Sequence, residues 1–343
     1  MSKDTSRLVE PLNWPEIVKE TIRKRKEFGL NQKTHAALAG VSIPTMISFE
    51  RAETTISMDR ALAILEIVGM SIKLKAIDEL SDFADQANKR WFELIQKLPS
   101  NSPGRHPFGF FSCFFAIKGK LREISIIELK EHLKEEAKIK YSGWSPFWIP
   151  TKKNIEPYPS NNNTMECWLG KKWFDQNDSI FTFYADDTDF WRASLEGNMY
   201  LQRGYQEDSS DTLEPGKIFD LILPIRTIGE IIHYAYRLAS KLSADAQASI
   251  DFHVKYTGLR GRELVNWSDP TNPFFDRNKI CVQNTIESSI QFQLSDIDEP
   301  LPEQIGKLVN LLLKDLYSKF GFYELKYEFI VYHLEKLFSR RLA

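Results

Sequence analysis

The side chains best equipped for chemistry are aromatic and basic. Trp144, Phe147, Trp148, Trp168 and Trp191 lie within one stretch, and Arg192, Arg203, Arg260 and Arg262 lie close behind. Indole faces stack on bases, and the planar guanidinium fork fits a phosphate, so this set would suit a cleft for a nucleotide or a nucleic-acid strand. The same segment carries Glu166, Asp189, Glu207 and Asp208. The competing expectation is therefore that the tryptophans are core and the arginines pair with these acids. Both readings stay open on sequence.

Catalytic patterns are absent, and no enzyme is expected. The six histidines, at 35, 106, 132, 233, 253 and 333, show no HExxH or other ligand spacing. There is no GxSxG elbow and no GxxxxGK[ST] loop, and GLRGR at 258–262 is too short to cradle a phosphate. Asp186, Asp187 and Asp189 could hold Mg²⁺ in principle, but near-adjacent positions point different ways and read better as a solvated turn. His233 and His253 sit among apolar neighbours and read as structural. Cys113, Cys167 and Cys281 are far apart, which argues against zinc and against a disulfide framework. No metal and no cofactor is expected.

The elements that would position these groups form a mixed α+β domain over residues 108–343. Phe108–Ile117 is an aromatic run of strand length. Ser125–Tyr141 carries a helical apolar pattern, and strand-like pieces follow at Thr164–Leu169, Ser179–Tyr184 and Asn198–Arg203. Asp220–Leu242 reads as a long helix, Ser249–Thr257 and Ser288–Leu294 as alternating strands, and about 302–320 and 327–342 as closing helices. Residues 76–107 read as a connecting helix or dimer seam ending in the linker PSNSPGRHP, whose prolines, glycine and serines mark a domain boundary.

Ahead of this lies a smaller all-α segment, residues 1–75. Trp14-Pro15 opens its first helix, which ends in the basic run Arg23–Lys26, a solvated face or a phosphate contact. Asn31 caps a short helix containing Ala36, Ala37 and Ala39, and Gly40 can take the positive φ that ends it. Ser42 caps the next helix, with Pro44 in its first turn. Met46 and Phe49 face inward with Val41; Ile43, Thr45, Ile47 and Ser48 are left outside. Ser57–Val68 closes the core.

Gln32, Ala36, Gly40-Val41-Ser42, Pro44-Thr45, Phe49-Glu50-Arg51 and Ser57-Met58-Asp59 together resemble the lambda-repressor/Cro-like (XRE) helix–turn–helix family over about residues 14–70. The resemblance implies that the outer face of the second motif helix enters the major groove of double-stranded DNA. It places Gln32, Ser42, Thr45, Ile47 and Ser48 at the groove and Lys33 and Arg51 on phosphates. Two positions depart from the family: His35 stands where a buried Leu is usual, and Ala52 where a Gly usually ends the recognition helix. The outer face offers no Arg, Lys, Asn or Gln for bidentate base readout. Either recognition is by backbone and shape, or the surface binds protein.

The ordered blocks Gly143–Trp148, Pro157-Tyr158-Pro159, Glu166–Gly170, Asp189–Arg192, Arg203–Asp208 and Tyr256–Arg262 resemble, over roughly residues 110–340, a bacterial C-terminal domain found joined to Schlafen/AlbA-like or helix–turn–helix DNA-binding heads. That resemblance imports modularity and no established chemistry.

Composition agrees with such a division. The chain has 343 residues and a net charge of −2. Residues 1–75 carry 12 Lys and Arg against 9 Asp and Glu, a net +3 that leaves −5 for the remainder. A mildly basic head on an acidic body suits phosphate contact by the head. No apolar run approaches the roughly 20 residues of a membrane span, and MSKDTSRLVE lacks a signal-peptide core, so a cytoplasmic protein is expected. The expectation is a DNA-binding transcriptional regulator with a ligand-sensing or assembly domain. Its expected partners are double-stranded DNA, a second copy of the chain, and a protein or nucleic-acid partner at the C-terminal domain. The alternative is an interaction component of a mobile-element or phage-defence system.

Overall fold

The computed structural model describes residues 13–68, 70, 79–100, 102–139, 141–142, 145–153, 155–170, 188–245, 247–269, 278–297, 301–322 and 325–339. The chain divides into two compact units, 1–76 and 77–343.

The described residues of the first unit form four helices: α1 (Trp14–Glu27), α2 (Gln32–Leu38), α3 (Ile43–Glu50) and α4 (Met58–Ile67). Local signals set their starts. The side chains of Asn13, Asn31 and Ser42 accept hydrogen bonds from the amides of Glu16, Thr34 and Thr45, satisfying donors that have no partner inside their helices. Gly40, at φ +64°, turns the chain from α2 to α3; a Cβ there would touch nothing within 4 Å, so glycine serves the turn by its conformation alone. Val18, Ala36, Met46, Phe49, Ala61, Ile64 and Leu65 form the core, and Trp14 meets Phe49 edge-on at 5.4 Å.

The two departures from the family pattern are accommodated differently. His35 is fully buried, and its Nε2 lies 2.9 Å from the Ile64 carbonyl, bridging α2 to α4. Ala52 stands at φ +58° just past α3, with its amide on the Phe49 carbonyl and the Glu53 amide on the Ser48 carbonyl. Those bonds hold a residue with a Cβ in a left-handed conformation that glycine adopts without strain. Ala52→Gly is therefore expected to stabilise this unit by about 1 kcal/mol. A higher midpoint in urea checks it, and a lower one contradicts it.

The second unit is α+β in three layers. Its seven-stranded antiparallel sheet runs in the order β2 (Tyr158–Pro159), β3 (Thr164–Trp168), β4 (Phe190–Ser194), β5 (Asn198–Gly204), β1 (Phe110–Lys118), β7 (Ser249–Tyr256) and β9 (Ile286–Gln293). A parallel pair, β6 (Ile218–Asp220) and β8 (Glu263–Val265), lies apart from it. Strand β1 is central and buried on both sides, which explains a run of FFSCFFAI without polar alternation. Its Phe111, Cys113, Phe115 and Ile117 pack with α6 (Ile126–Glu136), α7 (Leu223–Leu242), α8 (Leu301–Ser318) and α9 (Tyr327–Phe338). Phe114 and Ala116 face α5 (Glu79–Ile95) on the opposite side. A capping box between Ser125 and Glu128 starts α6.

The chain before β1 departs from expectation. Helix α5 is not a free connector or seam: Phe83, Ala87, Trp91, Leu94 and Leu98 bury its apolar stripe against Phe114, Trp168, Phe190 and Tyr200 of the sheet. Nor is 99–107 a loose linker. Arg105 donates to the carbonyls of Gln96, Leu98 and Pro99 at the end of α5. The His106 ring stacks on Trp91 and its Nε2 lies 3.0 Å from the Thr188 hydroxyl. Prolines and glycine here shape a packed corner that reverses the chain from α5 into β1, and the unit boundary falls ahead of α5. The expected strand Ser179–Tyr184 lies outside the described residues.

Candidate functional sites

The first candidate is the outer face of α3. Met46 and Phe49 anchor the helix in the core, leaving Ile43 and Pro44 exposed and Thr45, Ile47 and Ser48 half-buried. Lys33 and Arg51 are exposed, and among the described residues Arg51 pairs with Glu53 alone, at 4.0 Å. Three residues expected to meet DNA are engaged within the unit. Gln32 donates from Nε2 to Glu50 at 2.7 Å. Ser42 and Thr45 share a hydroxyl hydrogen bond of 2.8 Å at the start of α3. In the basic run of α1, Arg25 is buried on Glu50 and the Leu30 carbonyl, and Arg23 lies between Glu20 and Glu27. Glu50 thus joins α1, α2 and α3 through Arg25 and Gln32. Of that run, Lys24 and Lys26 carry no ion pair among the described residues.

The aromatic–arginine cleft does not form. Cys167 pairs with Trp191 and Trp168 with Phe190 across β3 and β4. The pleat therefore sends the two indoles to opposite faces: Trp168 packs toward α5 and Trp191 into the α6–α9 core. Trp191 donates to the Trp148 carbonyl at 2.9 Å, and the Trp148 side chain is half-buried. Arg203 is held by both oxygens of Asp189 and by the carbonyls of Ser145 and Pro146. Arg262 is fully buried, on both oxygens of Asp208 and the carbonyls of Phe108, Ile218 and Gly258. It also lies over the Tyr205 ring. Arg260 is exposed, and Trp144 lies outside the described residues. Arg203 is pinned on Asp189, and Arg262 is a structural pin with an acceptor for each of its five N–H groups.

Arg192 alone of the four stands differently, and it leads to a site with no motif in the sequence. Glu166 and Arg192 are direct cross-strand neighbours on β3 and β4, on the face toward α5. Arg90 of α5 reaches the same carboxylate, Nε to Oε1 at 3.0 Å, and the Tyr158 hydroxyl donates to that oxygen at 2.6 Å. The other oxygen, Oε2, is 3.6 Å from Arg192 Nε, too long for a hydrogen bond. Both of those atoms are buried without a hydrogen-bond partner. A cavity of about 430 Å³ opens here, lined by Arg90, Tyr158, Ser160, Asn161, Glu166 and Arg192. Burial holds the Arg192 guanidinium below its ordinary pKa, an effect that Glu166 opposes and Arg90 reinforces. Burial, then Glu166, holds the Tyr158 hydroxyl above its ordinary value, so it stays a protonated donor.

Asp220 is fully buried and accepts from the amides of Ile222, Leu223, Trp267 and Ser268, fixing the start of α7. Beside it, Glu207 is pushed up to about 8 by burial and by Asp220. His233 lies tilted to the Tyr141 ring and edge-on to the Phe338 ring. Asp186 and Asp187 lie outside the described residues, and Asp189 is held by Arg203. Among the described residues no three His, Cys, Asp or Glu side chains group as a metal site, and no helix is long and apolar enough to cross a membrane. Compared with known proteins, the chain matches no family model, no curated protein and no solved structure.

Proposed function

We propose that the first unit is a DNA-binding head of the lambda-repressor/Cro-like helix–turn–helix kind and that the second is a ligand-sensing or assembly body, in a cytoplasmic regulator. The observation that carries this is the division of α3: one side is anchored by Met46 and Phe49, and the other leaves Ile43 exposed and Ile47 and Ser48 half-buried, outside the hydrophobic core of the described residues. Lys33 and Arg51 supply exposed cations on the two motif helices. With Gln32 on Glu50 and the Ser42 and Thr45 hydroxyls on each other, few groups remain for base edges. Binding would rest on phosphates and DNA shape more than on direct readout.

Replacing Lys33 or Arg51 by Ala is expected to weaken binding to every duplex sequence and to lower the salt slope by about one each. Anisotropy titrations across salt concentrations measure this. Unchanged slopes in both variants would remove these residues from the interface.

One observation favours a second reading, docking to a protein. Ile43 is 44% exposed and Leu38 57% exposed, an apolar surface beside a face without bidentate base readers. Contact of that kind is nearly insensitive to salt, whereas phosphate contact is not.

A further inference from the structure

We propose that the cavity between α5 and the β2–β4 edge of the sheet binds the phosphoryl group of a small ligand, with Arg192 as its principal donor. The proposal deepens the sensing half of the function above and uses no property of the DNA-binding head.

Arg192 is only 7% exposed, and a guanidinium buried that far normally has its donors matched. The contrast within the same domain is direct. Arg203 and Arg262, at comparable depth, take both oxygens of an aspartate and further carbonyls. Arg192 has Glu166 at 3.6 Å and the face of Phe83, 5.4 Å from its ring centre, and among the described residues it makes no hydrogen bond. Phe83 covers the flat side of the fork, and the side chain lines the cavity. The cavity is therefore lined by a buried guanidinium whose Nε–H has no acceptor, and a guanidinium fork can bind two oxygens of one oxyanion.

Charge points the same way. Two arginines line the cavity against one carboxylate, and Glu166 is already engaged on Oε1 by Arg90 and Tyr158. Glu93 pairs with Arg90 from the solvent side and does not line the cavity. The lining thus sets two guanidiniums against one carboxylate, which Arg192 meets only at 3.6 Å. Ser160 and Asn161 at the rim are polar, and the Asn161 side-chain oxygen already accepts from the Asn163 amide, which leaves its NH₂ as a donor. A mostly polar lining, with Pro159 and the Tyr158 ring as its apolar part, suits a phosphoryl group better than a hydrophobic ligand. The volume admits a phosphate ester of modest size.

Glu166 competes with the ligand for Arg192, and that gives the test its sign. The full chain is titrated calorimetrically with inorganic phosphate at constant ionic strength, balanced with sodium chloride and without DNA. Wild type is expected to bind one phosphate with a Kd of about 1 mM or tighter. Arg192→Lys keeps the charge and loses the fork, and should weaken binding at least about tenfold. Glu166→Gln is nearly isosteric, releases Arg192 from its carboxylate, and should tighten binding severalfold. A merely structural ion pair would lose stability in both variants and would show no such opposite response. If Arg192→Lys does not fold, Glu166→Gln decides alone.

Glycerol 3-phosphate, titrated in parallel, separates the sources: tighter binding than inorganic phosphate assigns an esterified ligand, and equal or weaker binding assigns free phosphate. No heat and no thermal shift with either probe up to about 10 mM overturns the proposal, as does an affinity unmoved by Glu166→Gln. Because no DNA is present, failure here leaves the reading of the head untouched, and failure of DNA binding leaves this site untouched.

Discussion

Replacing Arg262 by Ala is expected to destabilise the second unit by about 3–5 kcal/mol, the cost of removing one partner from a buried ion pair. All five N–H groups of Arg262 have acceptors: two on Asp208 and one each on the carbonyls of Phe108, Gly258 and, through a shared nitrogen, Ile218. Those carbonyls come from three separate stretches of chain, just before β1, after β7 and at the start of β6. Ala at 262 would leave Asp208 charged and buried and three carbonyls unsatisfied. For a unit of this size the melting temperature should fall by roughly 10 °C. Arg262→Lys should recover little, because a single ammonium cannot span the carboxylate and three carbonyls. Calorimetry on the full chain reads this directly, and a loss below about 1 kcal/mol would contradict the assignment of Arg262 as a pin.

The second large effect is a pH dependence carried by Glu207. Its carboxyl is pushed up to about 8, first by burial and then by the neighbouring Asp220, from an ordinary value of 4.5. The folded chain therefore keeps a proton that the unfolded chain releases between about pH 4.5 and 8. Stability must fall as pH rises through that window, by up to about 1.4 kcal/mol per pH unit, and the contribution is fully present only below it. Glu207→Gln mimics the protonated acid and should flatten the decline. Glu230 is also raised, by burial, so part of the slope should remain. Melting curves at pH 5, 6, 7 and 8 for both proteins give the comparison. Equal slopes would mean that Glu207 does not hold its proton in the folded chain.

What the sequence disclosed was local. The caps at Asn31 and Ser42 and the Gly40 turn act within a few residues of themselves, so residue type and spacing are enough to place them. Ala52 stood out only through the family resemblance, which places a Gly there, and its φ is positive. Strand β1 carried its burial on its face, as an unbroken apolar run. What a stripe buries against is not local. The apolar side of α5 was visible as Phe83, Trp91, Leu94 and Leu98, but nothing along the helix says that the sheet covers it rather than a second chain. The composition of 99–107 misled because prolines and glycine mark a turn equally well in a packed corner and in a free linker.

The site followed the same division. Arginines near acids were visible, and Asp189 and Asp208 are the partners of Arg203 and Arg262. Which arginine stays unmatched depends on the pairing of β3 with β4 and on Arg90, a helix away in sequence. Trp168 and Trp191 looked like two walls of one cleft, and strand pleating alone separates them. Arg90, Tyr158, Ser160 and Asn161 carry no motif; only the tertiary structure gathers them around Glu166.

The central claim, that the first unit grips DNA through phosphates, is tested most directly by fluorescence anisotropy of the full chain on random-sequence duplex at about 50 and 200 mM salt. The account predicts binding at the lower salt that weakens more than about tenfold at the higher. Absence of binding at low salt, or binding indifferent to salt, would contradict it and assign the exposed face of α3 to a protein partner.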